Sequence, residues 1–184
     1  MSETSPHLFL TGYRGTGKST VAQLLSHQLA LPLWDVDREI ESRAGTSIKS
    51  IFENQGEQAF RQLEADVVKD LASAKPAVIA LGGGAILRDD NRQVIRQTGL
   101  CAWLTASPET LAARIQGDAG SRENRPALTS ASTLIEEVRS VLNDRIRYYA
   151  EVADLEISTE SVTPQTLADQ IAAWFLQKAP DWQS

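Results

Sequence analysis

The sequence predicts an α/β fold: a five-stranded parallel sheet with helices on both faces. Short apolar runs alternate with segments whose apolar residues recur at helical spacing, as in a sheet with crossover helices. Glycine clusters follow two of these runs, at Gly12 and Gly82. With 184 residues, 42% of them hydrophobic, the chain suits a single domain over 1–184. Ligands of such sheets bind where the strands end, so the residues after each apolar run are functional candidates.

The elements follow from the apolar pattern and from helix start and stop signals. Strands are expected at 7–11, 31–37, 77–81, 100–106 and 155–159. Helices are expected at 19–30, 38–75 (broken at Gly45 and Gly56), 89–97, 107–115, 134–149 and 164–176. The helix at 107–115 has the clearest start, because Ser107 suits an N-cap and Pro108 the first helical position. Residues 116–132 lose periodicity, which predicts a long loop that acts as a mobile lid.

Charge and composition argue against several kinds of partner. The net charge is −6 without a block of like charges, which disfavours nucleic acid or an anionic membrane as the main partner. No apolar run has the length of a membrane span, and the first ten residues lack the features of a signal peptide. The single cysteine, Cys101, indicates a reducing compartment. We therefore expect a cytoplasmic protein with small-molecule partners, and we expect it to be a monomer.

The stretch GYRGTGKS, from Gly12 to Ser19, fits the phosphate-binding pattern G-x-x-x-x-G-K-[ST] between a strand and a helix. Its glycines let successive N–H groups face one phosphate, and the helix N-terminus adds a positive dipole. We expect a nucleoside triphosphate bound by Gly15, Thr16, Gly17, Lys18, Ser19 and Thr20, with the Ser19 hydroxyl on Mg²⁺. The alternative is a glycine-rich turn with a surface lysine, which explains less of the pattern.

Two aspartates end the second apolar run, in the sequence DVD. Asp35 and Asp37 alternate along the expected strand, so their side chains should point to opposite faces. One would face Mg²⁺ near Ser19, while the other would orient an acceptor hydroxyl and take its proton. The alternative for one such aspartate is an N-cap of the next helix. A small chain with this loop and no guanine-reading N-K-x-D segment is typical of a small-molecule kinase.

Two further features suggest an acceptor pocket. Arg61 and Glu64 are three residues apart, so they form either a weak surface pair or a guanidinium held ready for a substrate carboxylate. Gly82, Gly83 and Gly84 directly follow the third strand. Three glycines there predict a close backbone approach to a ligand, or else a tight turn.

Arginines occur at two other informative positions. Arg145 lies on the stripe Val138, Leu142, Arg145, Tyr149, where it either extends toward solvent or faces an anion in the cleft. The loop 116–132 contains Arg122 and Arg125, which could close over ATP and neutralise charge in the transition state. The alternative is an ordinary solvated loop.

These motifs together resemble those of the shikimate kinase family. The matching segments are GYRGTGKS, DVD at 35–37, GEQAFRQLE at 56–64, LGGGA at 81–85, NRPAL at 124–128 and the arginine of NDRIRYY at 143–149. The resemblance implies a three-layer P-loop kinase fold with substrate-binding helices at 37–75. It also implies transfer of the γ-phosphate of ATP to the 3-hydroxyl of shikimate, with Mg²⁺, in aromatic amino-acid biosynthesis.

The resemblance further implies a role for each matching residue. Shikimate would contact Asp37, Arg61, Arg145 and the three glycines, with both arginines on its carboxylate. Arg125 would be the lid arginine on ATP, Arg114 would lie near adenine, and Asp35 would support Mg²⁺ through water. The lid reads Arg-Pro-Ala-Leu where the family often has Arg-Pro-Leu-Leu, so Arg122 is the alternative lid arginine.

Two other functions stay open at this stage. One is a related sugar-acid kinase of the gluconate type, which should lack the combined D-x-D, F-R and G-G-G set. The other is a nucleotide-binding regulatory module without transfer activity, against which Lys18, Asp37 and a lid arginine argue.

Overall fold

The computed structural model describes residues 5–117 and 133–181, and the predicted α/β class is confirmed. The strands of this part form one parallel sheet in the order β2-β3-β1-β4-β5. They are β1 (His7–Thr11), β2 (Leu33–Asp35), β3 (Val78–Ala80), β4 (Gly99–Thr105) and β5 (Leu155–Ser158).

The described helices connect these strands. They are α1 (Lys18–Leu29), α2 (Val36–Ala44), α3 (Ile48–Ala72), α4 (Asp89–Thr98), α5 (Pro108–Gly117), α6 (Leu134–Val152) and α7 (Pro164–Lys178). Short 3-10 helices occur at Ala85–Leu87 and Ala179–Asp181. No helix in the described ranges is long and apolar enough to cross a membrane.

The helices cover both faces of the sheet because β1 is apolar on both. Leu8 and Leu10 pack with α1 and α7 on one face, whereas Phe9 packs with α2, α3, α4 and α6 on the other. This is the alternation that a central, fully buried strand requires. The predicted breaks also occur: Gly45 ends α2 in the left-handed region, and Gly56, at φ 81°, is non-helical within α3.

The second strand is the main difference from the expected elements. It ends at Asp35 rather than at residue 37, and Val36 and Asp37 already belong to α2. The Asp35 carboxylate accepts a hydrogen bond from the Arg38 N–H at 3.3 Å and so caps α2. The premise that Asp35 and Asp37 alternate along one strand is therefore wrong, because an available helix cap ends the strand at the first of them.

The pairing of β1 with β4 leaves no room for a side chain at Gly99. Gly99 lies opposite His7, and a Cβ there would lie 2.4 Å from the His7 carbonyl oxygen. Because Gly99 is extended, with φ −173°, this constraint is steric and does not come from backbone strain.

We expect Gly99→Ala to lower the free energy of unfolding by about 1–3 kcal/mol, the usual cost of overpacking. Urea denaturation measures this change. Gly117→Ala is the matched control, since no atom of the described residues lies within 4 Å of a Cβ there. Equal stabilities for the two variants would contradict the steric explanation.

Candidate active site

The loop between β1 and α1 has the backbone of an anion-binding site. Gly12, Gly15 and Gly17 have φ angles of 141°, 83° and 87°, which L side chains rarely adopt. No side chain caps the start of α1 at Gly17, so its first N–H groups keep their donor capacity. The Lys18 amine donates to the carbonyls of Gly12 and Tyr13 at 2.8 and 2.9 Å. The loop thus has the backbone donors and the fixed cation that binding of a phosphate chain requires.

Ser19 and Asp35 come together beside this loop. The Ser19 hydroxyl donates to Oδ2 of Asp35 at 3.0 Å, while Oδ1 of Asp35 caps α2. Across the described residues no cluster of three or more His, Cys, Asp or Glu side chains could hold a metal. One hydroxyl and one carboxylate suit Mg²⁺, which keeps several waters and takes other ligands from substrate phosphates.

A cavity of about 530 Å³ opens above the loop. Its lining includes Gly15, Gly17, Lys18, Ser19, Thr20, Asp35, Asp37 and Arg114. Thr16 is buried beneath the loop instead, and its hydroxyl donates to the Tyr13 carbonyl at 2.8 Å. Most of the residues predicted for the nucleotide thus surround one space.

Arg114 connects the phosphate-binding loop to the segment after β5. Its guanidinium donates to the hydroxyl and carbonyl oxygens of Thr159 at 2.8 and 3.0 Å, and to the Gly15 carbonyl at 3.3 Å. The next residue, Glu160, accepts from the hydroxyls of Ser107 and Thr110, and these hydrogen bonds lower the pKa of its carboxyl to about 2. This network holds Arg114 at the rim of the first cavity.

A second cavity adjoins the first on the side of α3 and α6. Its lining is Tyr13, Arg14, Asp37, Ile48, Phe52, Phe60, Arg61, Glu64, Gly82, Gly83, Gly84 and Arg145. Every residue predicted for the acceptor therefore borders this space. Three arginines, Arg14, Arg61 and Arg145, border a small cavity with aromatic walls, an arrangement suited to a compact organic anion.

Two of the three glycines after β3, Gly82 and Gly84, make room for the protein's own charged groups. A Cβ at Gly82 would lie 2.8 Å from Asp37 Oδ1 and 2.9 Å from Glu64 Oε1. A Cβ at Gly84 would lie 2.6 Å from both terminal nitrogens of Arg61. The segment is also a turn, since the Ala85 N–H donates to the Gly82 carbonyl at 3.1 Å. The tight turn predicted for this segment is therefore present, and its close approach to a ligand stays a prediction.

Arg145 also contacts this segment. Its guanidinium donates to the Gly83 carbonyl at 3.1 Å, and the buried Tyr149 hydroxyl donates to the same oxygen at 2.6 Å. Burial raises the pKa of Tyr149 to about 12, so this phenol stays a donor at neutral pH. The apolar stripe of α6 therefore directs Arg145 toward the cavity.

Comparison with known proteins identifies this arrangement. The shikimate kinase family model matches residues 14–176. A shikimate kinase of Rhodopirellula baltica is 45% identical over 174 residues, which cover 95% of this chain and 90% of that protein. The chain belongs to the shikimate kinase family. It is accordingly a kinase that uses ATP with Mg²⁺.

Solved structures agree with this family. A shikimate kinase from Acinetobacter baumannii in complex with shikimate superimposes with a TM-score of 0.87 at 35% identity, covering 96% of each chain. The match with a gluconokinase from Sinorhizobium meliloti covers 97% of this chain and 95% of the gluconokinase chain, with a TM-score of 0.63 at 18% identity. The second likeness shows only that the two share a fold. The fold is thus common to kinases of different acceptors, and the side chains must distinguish them.

The structure does not describe two of the predicted residues, and it adds one residue that the sequence did not indicate. Arg122 and Arg125 lie outside the described residues. Arg14 received no role from the sequence, yet it lines both cavities. Its position within the glycine-rich loop, between Gly12 and Gly15, was the available signal.

Glu64 is the most deeply buried charged group of the second cavity. Its side chain is 1% exposed, and its Oε2 accepts from Arg61 at 2.7 Å. Its Oε1 has no hydrogen-bond partner within the described residues. Burial raises the pKa of this carboxyl, and the nearby Arg61 only partly opposes the shift. The sequence pair Arg61–Glu64 is therefore a buried pair, not a weak surface one.

We expect Glu64→Gln to change how stability depends on pH. A carboxyl whose pKa is raised by folding contributes stability at low pH and loses it as the pH rises through the folded-state pKa. Between pH 4 and 8, starting near the ordinary Glu pKa of about 4.3, wild-type protein should therefore lose stability relative to Glu64→Gln. Urea denaturation across this range measures the difference.

Glu57→Gln is the control for this prediction. Glu57 is the other carboxylate beside Arg61, at 3.4 Å, but it is 66% exposed. This variant removes a carboxylate beside Arg61 without removing a buried one. A stability difference from wild type that does not change with pH for Glu64→Gln would contradict the assigned cost of burial.

Proposed function

We propose that this chain transfers the γ-phosphoryl group of ATP to the 3-hydroxyl of shikimate, giving shikimate 3-phosphate and ADP. The observation that carries the proposal is the sharing of Asp37 between two adjoining cavities, one above a phosphate-binding loop and one bordered by Arg61 and Arg145. Phosphoryl transfer needs a donor and an acceptor site that meet at one group able to handle the acceptor proton.

The first cavity would hold the nucleotide. Backbone N–H groups from Gly15 to Thr20 would bind the phosphates, and the Lys18 amine would move from its loop carbonyls to the β- and γ-phosphates. Arg114 would lie near adenine at the rim. We assign the lid role to Arg125, with Arg122 as the alternative, within a lid at 116–132.

Ser19 and Asp35 would hold Mg²⁺, Ser19 directly and Asp35 through water. When bound, this ion neutralises charge on the β- and γ-phosphates as the transition state forms. The hydrogen bond between the two side chains supports the assignment, because it shows that both can reach one point.

The second cavity would hold shikimate. Arg61 and Arg145 would bind its carboxylate, since a guanidinium matches a carboxylate with two parallel hydrogen bonds. Glu64 would keep Arg61 in position through its 2.7 Å contact. Gly82, Gly83 and Gly84 would line the ring, and helices within 37–75 would close one side of the site.

Asp37 would orient the 3-hydroxyl and accept its proton as the phosphoryl group transfers. Its position in the first turn of α2, beside Gly82, supports this role.

Monomeric action in the cytoplasm, without nucleic acid or membrane partners, belongs to the same proposal. Its support is the net charge of −6 and the single cysteine.

We expect ADP release to be strong with shikimate and weak with gluconate or nucleoside monophosphates. Two cations facing a carboxylate in a cavity with aromatic walls favour a rigid ring acid over a flexible sugar acid or a second phosphate. A coupled assay of ADP production with each acceptor measures this. Comparable turnover on gluconate would favour a sugar-acid kinase, and binding of ATP without turnover on any acceptor would favour a regulatory module.

We expect Asp37→Asn to lower kcat by roughly 10²–10⁴ while ATP still binds, because the acceptor of the proton is lost. We expect Asp35→Asn to raise the Mg²⁺ concentration needed for activity. Asparagine is also a good N-cap, so the start of α2 should be preserved in that variant. The measurement is kcat at saturating shikimate over a Mg²⁺ titration of both variants.

The two variants serve as controls for each other. They remove one charge each at positions two residues apart, on either side of the same helix start. If excess Mg²⁺ restores the activity of Asp37→Asn but not that of Asp35→Asn, the roles assigned to the two aspartates are the reverse of those proposed. Full activity in both would leave the pair as a helix cap only.

A further inference from the structure

Arg14 occupies the junction between the two cavities. Among the described residues, both spaces are lined by Arg14, Asp37, Ile48 and Gly83. Asp37 and Arg14 are the charged members of this set, and they have opposite signs. Asp37 is assigned to the acceptor proton, whereas nothing in the proposed function so far uses Arg14.

A buried ion pair fixes the Arg14 side chain. Its Nη2 donates to Oε1 of Glu137 at 2.6 Å, and the two side chains are 12% and 11% exposed. Glu137 lies in the first turn of α6, the helix that also carries Arg145. The guanidinium also lies 5.9 Å from the centre of the Tyr13 ring. The cation is therefore held at the junction by the acceptor-side helix.

The guanidinium keeps donors that this pair does not use. A guanidinium has five N–H donors in a rigid fork. The Nε of Arg14 is buried and has no hydrogen-bond partner within ranges 5–117 and 133–181. Only Nη2 is used by the pair with Glu137, and the side chain lines both cavities, so a ligand there that supplied acceptor oxygens to the remaining N–H groups would bind favourably.

The reaction itself brings an anion to this place. A phosphoryl group that passes from the first cavity to the second must cross the junction that Arg14 and Asp37 border. During transfer, the bond from the γ-phosphorus to the β,γ-bridging oxygen breaks, a bond to the acceptor oxygen forms, and the hydroxyl proton passes to Asp37. Negative charge on the equatorial oxygens persists throughout, and a fixed guanidinium beside them stabilises it.

We propose that Arg14 binds the transferred phosphoryl group and that Glu137 is a positioning residue for its guanidinium. This inference rests on the proposed function, because it assumes that the two cavities hold donor and acceptor. It predicts a specific signature: Arg14 should contribute to binding of the phosphorylated product and not to binding of the unphosphorylated acceptor.

The test is Arg14→Gln, which removes the charge and keeps an N–H donor for Glu137. Titration calorimetry gives the Kd of shikimate 3-phosphate and the Kd of shikimate for wild type and variant. We expect the product to bind about tenfold to a hundredfold more weakly, as for loss of a hydrogen bond to a charged group. The Kd of shikimate should stay within about threefold. The kcat should fall while the KM for shikimate changes little.

Arg139→Gln is the matched control. Arg139 also joins α6 to another element, through a 2.7 Å ion pair with Glu109, but these side chains are 59% and 58% exposed. This variant loses one arginine and one ion pair of α6 without altering the junction. Both Kd values and kcat should equal those of wild type.

A variant that fails to fold would not end the test. Arg14→Gln leaves the Glu137 carboxylate nearly buried without its cation, which can unfold the protein. The double variant Arg14→Gln/Glu137→Gln replaces the ion pair by two amides, and the same two Kd values are then measured on it. Weaker binding of shikimate 3-phosphate but not of shikimate by this double variant would support the proposal equally.

Two other results would overturn it. If Arg14→Gln weakens the binding of shikimate and of shikimate 3-phosphate equally, or weakens neither, the Arg14–Glu137 pair only connects the loop to α6. If wild-type protein phosphorylates shikimate, that outcome contradicts only the role of Arg14. If wild-type protein does not phosphorylate shikimate, the proposed function fails and this inference fails with it.

Discussion

The site depends on one close backbone approach, between the segment after β3 and the loop after β1. A Cβ at Gly83 would lie 3.3 Å from the Gly12 carbonyl oxygen and 3.6 Å from the Arg14 nitrogen, so the two chain segments nearly touch. Arg145 and Tyr149 hold this segment through the Gly83 carbonyl. Because β1 and β3 are neighbours in the parallel sheet, their carboxyl ends bring the glycine-rich loop and the second cavity together. The short distance between the proposed donor and acceptor sites follows from the sheet order.

Charge at the site is controlled locally and is independent of the net charge of −6. Arg14 and Arg61 each pair with a nearly buried glutamate, at 2.6 and 2.7 Å. Such pairs contribute little net stability, because desolvation offsets their attraction. Their value lies in orientation, since a paired guanidinium keeps its remaining donors in a defined direction. An acidic protein can therefore bind anions, because cations that are fixed in a cavity act over a few ångströms while distant surface charges are screened.

The sequence was sufficient for the fold and for most of the predicted residues that the structure places around the two cavities. Alternating apolar runs and helix signals predicted the strands and helices, and the glycine-rich loop lies where the pattern put it. Asp35 and Asp37 show where local reasoning ended. Alternation along a strand and a helix cap at the first aspartate each point the two carboxylates in different directions. Only the backbone of the folded chain distinguishes these two arrangements. The partner of Arg14 was also inaccessible, because Glu137 lies 123 residues away and no local pattern links them. Long-range pairs of this kind follow from topology, not from spacing.

Three residues that break local rules border the second cavity. Arg145 is a cation on an apolar stripe, Glu64 is a buried carboxylate with one oxygen lacking a hydrogen-bond partner among the described residues, and the Arg14 Nε is a buried donor in the same situation. Each feature opposes folding when considered alone. Proteins retain such features where a ligand supplies what the fold omits. For the two arginines the missing groups are acceptor oxygens, which the carboxylate and phosphoryl oxygens of the proposed substrates would provide. The buried Glu64 carboxylate is different, because its Oε1 lacks a donor among the described residues and its role is to hold Arg61. The unsatisfied arginines of the free protein are thus the features that would favour binding of these anions.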